Sequence, residues 1–153
     1  MKETMKSDPV RFLLVDDLAE NLLSLEAVLR RDGLTIHTAR SAREALELLL
    51  HHDFALAIVD VQMPELDGFE MAELMRGTER TRHVPIIFLT AADNDALRRF
   101  KGYESGAVDF LQKPVEPLIL RSKADVFINL YRQRQQIESQ RDQLIANQGR
   151  LQL

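Results

Sequence analysis

The chain contains no cysteine among its 153 residues, which removes thiol nucleophiles, cysteine-ligated zinc and disulfide frameworks together. It has no long apolar run. The longest uninterrupted one, Phe54 to Val59, falls far short of the roughly 20 residues that cross a bilayer. The polar opening Met1 to Pro9 has no apolar centre of the kind a secretory leader carries. A cytoplasmic protein with no membrane partner is expected. Basic charge is not in excess either: 20 Lys and Arg against 24 Asp and Glu give a net charge of −4, so direct nucleic-acid binding is not expected. The glycine loops of nucleotide cradles (GxGxxG, GxxxxGKS/T) and the GxSxG turn of serine hydrolases are absent. No two of His37, His51, His52 and His83 share a helical face at ligand spacing, and His51-His52 reads as a solvated helix end.

What remains has the composition of an ordinary globular domain. It is 45% hydrophobic and 29% charged, and long enough to bury a core without staples. Short strand-like runs alternate with helix-like stretches from Arg11 onward, the pattern of a parallel sheet with crossover helices. The runs are Arg11 to Val15, Thr35 to Ala39 (more polar, suited to an edge), Ala55 to Val59, Pro85 to Leu89 and Ala107 to Leu111. Between them, Leu18, Leu22, Leu25 and Leu29 predict one buried helical face that stops at Gly33. Ser41 and Glu44 predict a capping box, followed by a stripe of Ala45, Leu46, Leu49 and Leu50. A third helix is expected from near Gly68, burying Ala72 and Met75, and a fourth from near Asp93, presenting Leu97 and Phe100. Pro117 opens a fifth, a position that needs no amide donor.

The fifth helix outruns the sheet. No proline or glycine follows Leu118 until Gly149, so its last third is expected to leave the domain. Leu130, Ile137, Leu144 and Leu151 repeat every seven residues, while the complementary seam positions hold Gln133, Gln140 and Asn147. That is half of a coiled-coil seam, and two readings stay open: a marginal dimerisation helix, or a connector ordered only in a dimer or a longer protein.

In an open parallel sheet, ligands bind beyond the carboxyl ends of the strands. Those ends carry Asp16 and Asp17, then Asp60, then Thr90, then Lys113. Singly, each has a plain structural explanation, as a helix cap, a turn residue or a solvated charge. Together they put three carboxylates, a hydroxyl and an ammonium on one rim. Close carboxylates repel unless one is protonated or a cation joins them. With no His or Cys on the rim, a hard divalent ion such as Mg²⁺, or Mn²⁺, is the expected cofactor. A carboxylate needs no general base at neutral pH, so Asp60 can attack phosphorus directly, with the cation, Lys113 and the Thr90 hydroxyl facing the phosphoryl oxygens.

At this point the motifs resemble a known family. Asp16-Asp17, Asp60 with Met63-Pro64 and Asp67-Gly68, Thr90-Ala91 and Lys113-Pro114 are similar, in this order, to the receiver domain of two-component response regulators. The resemblance runs from about Arg11 to Arg132. It implies a flavodoxin-like, doubly wound five-stranded parallel sheet of order 2-1-3-4-5. By the same resemblance Asp60 is the phosphoacceptor, and Asp16, Asp17, Asp60 and the Gln62 backbone carbonyl hold the metal. Thr90 and Lys113 meet the phosphoryl group, and the Lys113-Pro114 bond is cis. Thr90 and Phe110 form the switch, although Phe110 stands where the family often has tyrosine and reads equally as a core residue. Gln62 and Ala92 occupy the positions that tune phosphoryl lifetime. The haloacid-dehalogenase-like alternative needs a second acid where this chain has Gln62.

The implied partner is a sensor histidine kinase or a histidine phosphotransfer protein. The implied assembly is a homodimer through helix four, strand five, helix five and its extension. Residues 1–10 are expected to be disordered, 11–132 to form the receiver, and 133–153 to be a helical extension or linker. The chain itself is then a signalling domain and not an enzyme. The alternative is the amino-terminal regulatory part of a larger enzyme, such as a diguanylate cyclase, phosphodiesterase, phosphatase or hybrid histidine kinase.

Overall fold

A computed structural model describes residues 9–91, 104 and 106–151. The expected fourth helix with Leu97 and Phe100, the lifetime position Ala92 and most of the expected disordered start lie outside the described residues. Within them the order is β1 (Val10–Val15), α1 (Ala19–Leu29), β2 (Leu34–Ala39), α2 (Ala42–His51), β3 (Leu56–Asp60), α3 (Gly68–Arg76), β4 (Ile86–Thr90), β5 (Asp109–Gln112) and α4 (Pro117–Leu151). The helix expected as the fifth is thus α4 here. All strand pairs are parallel, in the order β2-β1-β3-β4-β5.

The sheet is buried on both faces, which is why β1, β3 and β4 read as nearly unbroken apolar runs. Successive side chains alternate between two cores. Leu13, Val15, Ala57 and Val59 pack with α2 and α3, whereas Phe12, Leu14, Leu56 and Ile58 pack with α1 and α4. The more polar β2 takes the edge, as expected.

Four local expectations need correction. Leu18 does not join the buried face of α1: it is the extended N-cap residue and 48% exposed, while Leu22, Leu25 and Leu29 are buried. Helix α1 closes on Arg30, and Gly33, left-handed at φ +84°, serves the turn into β2 instead. Leu50 is exposed because it stands about 100° around α2 from Leu49, and the buried stripe is Ala42, Ala45 and Leu49, with Leu46 partly covered. The cap of α2 is also half of what was expected. Ser41 Oγ accepts from the Glu44 amide at 3.1 Å, but the Glu44 carboxylate accepts from the Arg40 amide at 2.6 Å. The complete reciprocal box belongs to α3, between Asp67 and Glu70.

Helix α4 is one element of 35 residues. Leu120 and Ala124 are buried against the sheet, and Phe127, Ile128 and Tyr131 are partly covered. Asp125 pairs with Arg31 at the end of α1. Past Tyr131, Ile137, Leu144 and Ile145 stand well exposed. Leu130 is exposed too, and the helix continues through Leu151. Among the described residues no helix is long and apolar enough to cross a membrane.

Candidate functional site

The carboxyl ends of β1, β3, β4 and β5 meet on one rim, and the acids come first. Asp16 follows the last residue of β1 and is fully buried. Its Oδ1 accepts from the Leu18 amide at 3.0 Å, which turns the chain into α1. The Asn21 carboxamide of α1 donates to both of its oxygens, at 3.3 and 3.2 Å. Asp17 is half-exposed, and its backbone carbonyl accepts from the Arg40 guanidinium at 3.0 and 3.3 Å. Asp60, the last residue of β3, is only 6% exposed and receives the Gln62 amide at 3.4 Å. Carboxylate oxygens of Asp16, Asp17 and Asp60 all lie within 4.8 Å of one another.

The β3–α3 turn brings helix and strand closer than most residues permit. A side-chain carbon at Gly68 would lie 2.5 Å from the Asp60 carbonyl oxygen, so glycine is required there for α3 to start directly behind the acid. From the opposite side, Lys113 reaches in from the end of β5. Its Nζ is 3.1 Å from Asp16 Oδ2 and 3.4 Å from Asp60 Oδ1. Its amide donates to the Thr90 carbonyl at 2.9 Å, and its bond to Pro114 is cis. Thr90 ends β4, half-buried, with Gln112 as its register partner on β5. Phe110 is half-buried one strand from Phe88, with ring centroids 5.5 Å apart. Gln62 is exposed beside Asp60.

The electrostatics follow from this crowding. Burial, and then the charge of Asp16, push the Asp60 carboxyl above its ordinary range, and Lys113 and the Gln62 amide offset this only in part. Burial alone would lower the Lys113 ammonium, but its hydrogen bond to Asp16 and the charges of Asp60 and Asp16 win, and its pKa is raised. The lysine is therefore a fixed cation. A set of oxygen donors with two buried carboxylates, one half-exposed carboxylate and no nitrogen or sulfur ligand fits a hard divalent cation.

Four of the five rim residues expected from the strand ends, Asp16, Asp17, Asp60 and Lys113, come together, and Thr90 ends the neighbouring strand β4. The structure adds two that strand-end reasoning missed. Asn21 lies five residues after Asp16 and reaches back only because α1 turns it toward the rim; Arg40, after β2, holds the backbone of Asp17. No motif marks either one.

The structure is thus a doubly wound parallel α/β domain with an acid triad and a lysine at the strand ends. Residues 12–125 match the response regulator receiver domain family. The chain belongs to that family. Among curated relatives it is 33% identical over 132 residues to a probable cyclic di-GMP phosphodiesterase of Vibrio cholerae, covering 86% of this chain and 30% of that protein. It is 36% identical over 110 residues to the response regulator PleD of Caulobacter vibrioides, covering 72% of this chain and 24% of that one. The chain thus spans less than a third of the length of these two relatives. Among solved structures, the Vibrio cholerae chemotaxis protein CheY4 superposes with a TM-score of 0.72 at 28% identity, over 78% of this chain and 99% of that one. A putative response regulator from Chloroflexus aurantiacus gives 0.72 at 34% identity, over 80% and 99%.

Proposed function

We propose that Asp60 is the phosphoacceptor of this receiver, taking a phosphoryl group from the phosphohistidine of a sensor histidine kinase or a phosphotransfer protein. The observation that carries this is the placement of the Lys113 ammonium, 3.1 Å from Asp16 and 3.4 Å from Asp60, across from a triad of acids. An Asp60 oxygen forms the new O–P bond as the N–P bond to the donor imidazole breaks, and the imidazole leaves with that electron pair. Lys113 and the Thr90 hydroxyl face the phosphoryl oxygens, where charge spreads in the transition state. Asp16, Asp17, Asp60 and the Gln62 carbonyl would hold Mg²⁺ or Mn²⁺, which would supply charge neutralisation for the phosphoryl group. Incubation with acetyl phosphate and Mg²⁺ should attach one acid-stable, base-labile phosphoryl group. A label that survives at wild-type yield in Asp60→Asn would overturn the assignment.

The output is a change at a surface, and the switch runs through Thr90 and Phe110. Phe110 has no hydroxyl, so an inward swing is driven by burial alone. We assign residues 11–132 to the receiver and 133–153 to the extension, because Tyr131 is the last apolar side chain of α4 packed on the core. The surface that changes pairs two copies through the region before β5, through β5, and through α4 with its extension. Ile119 and Val126, exposed on α4 itself, extend the Leu130–Ile137–Leu144 stripe back onto the receiver at seam spacing. The protein so read is cytoplasmic.

A second reading, the amino-terminal regulatory part of a larger enzyme, is favoured by the likeness to a probable cyclic di-GMP phosphodiesterase, of which this chain covers 30%. Sequencing the reading frame past Leu153 decides between the two.

A further inference from the structure

A carboxylate offers about four lone-pair sites, and Asp16 draws four contacts from three protein donors. Oδ1 takes the Leu18 amide and the Asn21 carboxamide; Oδ2 takes the same carboxamide and Lys113 Nζ. Two of these donors share one oxygen, since Asn21 Nδ2 is 3.2 Å and Lys113 Nζ 3.1 Å from Oδ2. They differ in what else they can serve. Leu18 is fixed by the turn and Asn21 by its place on α1, whereas Lys113 also stands 3.4 Å from Asp60.

A fully buried carboxylate left short of donors draws the nearest cation. Without Asn21, the nearest is Lys113. We propose that Asn21 is a positioning residue that satisfies Asp16 with a neutral donor and so leaves the Lys113 ammonium available to the phosphoryl group on Asp60. The assignment rests on the phosphoacceptor reading of the site given above. It explains why α1 turns a carboxamide toward the rim at this position: a carboxylate there would add a fourth negative charge, and an apolar side chain would leave Asp16 short of a donor. The amide nitrogen must face Asp16, because a carboxylate only accepts.

Two variants separate this role from simple scaffolding. Asn21 borders a cavity of about 490 Å³ lined also by Leu25, Val28 and Leu120, so Asn21→Leu has apolar room, and Asn21→Asp is isosteric but accepts where asparagine donates. Calorimetry would measure Mg²⁺ alone, then beryllofluoride, a phosphoryl mimic, at saturating Mg²⁺. In both variants the affinity for beryllofluoride should fall several-fold. In Asn21→Asp the affinity for Mg²⁺ should tighten. Beryllofluoride affinities equal to wild type would overturn the assignment. So would a loss of Mg²⁺ affinity in Asn21→Asp, which would make Asn21 a scaffold of the acid pair. Wild-type protein that binds no beryllofluoride would overturn the site reading, and this proposal with it.

Discussion

Asp60 shows how a site can work against the fold that holds it. Its carboxyl titrates above the ordinary range because it is buried beside Asp16, so the folded chain binds that proton more tightly than the unfolded chain does. The stability linked to this group is present at low pH and is lost as pH rises through the raised pKa. In the metal-free protein, Asp60→Asn should therefore be more stable than wild type at pH 7, with the difference shrinking as pH falls toward the carboxylate range. Urea denaturation in the presence of chelator at several pH values measures this, and equal stability at pH 7 would show that the buried charge is already compensated. The rim residues were legible in the sequence because a parallel sheet delivers strand ends to one edge, whatever the packing beneath. Asn21 was not. Its role depends on the rotation of α1, which Leu22, Leu25 and Leu29 set by facing the sheet.

Helices were legible where burial obeys a single stripe and misread at the margins. Leu50 continued an apolar run and Leu18 began one, yet neither lies on the buried face; hydrophobicity alone does not say which residue of an adjacent pair turns inward. The strands were readable to within a residue or two, because burial on both faces leaves continuous apolar runs. For α4 the length and the seven-residue repeat were both visible, but Ile119 and Val126 were not recognised as part of the stripe, since a helix packed on a sheet is expected to turn its apolar residues inward. Their exposure makes pairing through α4 testable. Sedimentation with and without beryllofluoride should show wild type self-associating more tightly with the mimic. Ile137→Asp with Leu144→Asp should weaken association in both states, because each aspartate places a charge in an apolar seam. A form ending at Arg132 that associates as tightly as the full chain would show that the extension is only a connector.

Two predictions concern the stability of the whole fold. Mg²⁺ bound at this rim would relieve the repulsion among Asp16, Asp17 and Asp60 and would favour the folded chain, so millimolar Mg²⁺ should raise Tm by mass action. The rise should shrink in Asp17→Ala; a melting curve indifferent to the metal would count against a cation site on this rim. At the β2 edge, the His37 ring lies 4.6 Å from His52 and 5.4 Å from Phe54, and Arg11 donates to His37 Nε2 at 3.1 Å. Burial first, then the charges of His52 and Arg11, lower its pKa. The unfolded chain thus takes up a proton near pH 6.5 that the folded chain refuses. Stability should fall as pH drops below about 6.5, and His37→Gln should flatten that fall in urea titrations.

The continuous helix α4 also has a mechanical consequence. Leu144 lies 13 residues beyond Tyr131, and at about 1.5 Å per residue that is a reach of roughly 20 Å along the helix. A tilt of about 10° at its root would carry Leu144 sideways by some 3 to 4 Å, about the width of a methyl group. Small rearrangements around β5 and the first turns of α4 are therefore magnified with distance along the exposed apolar stripe.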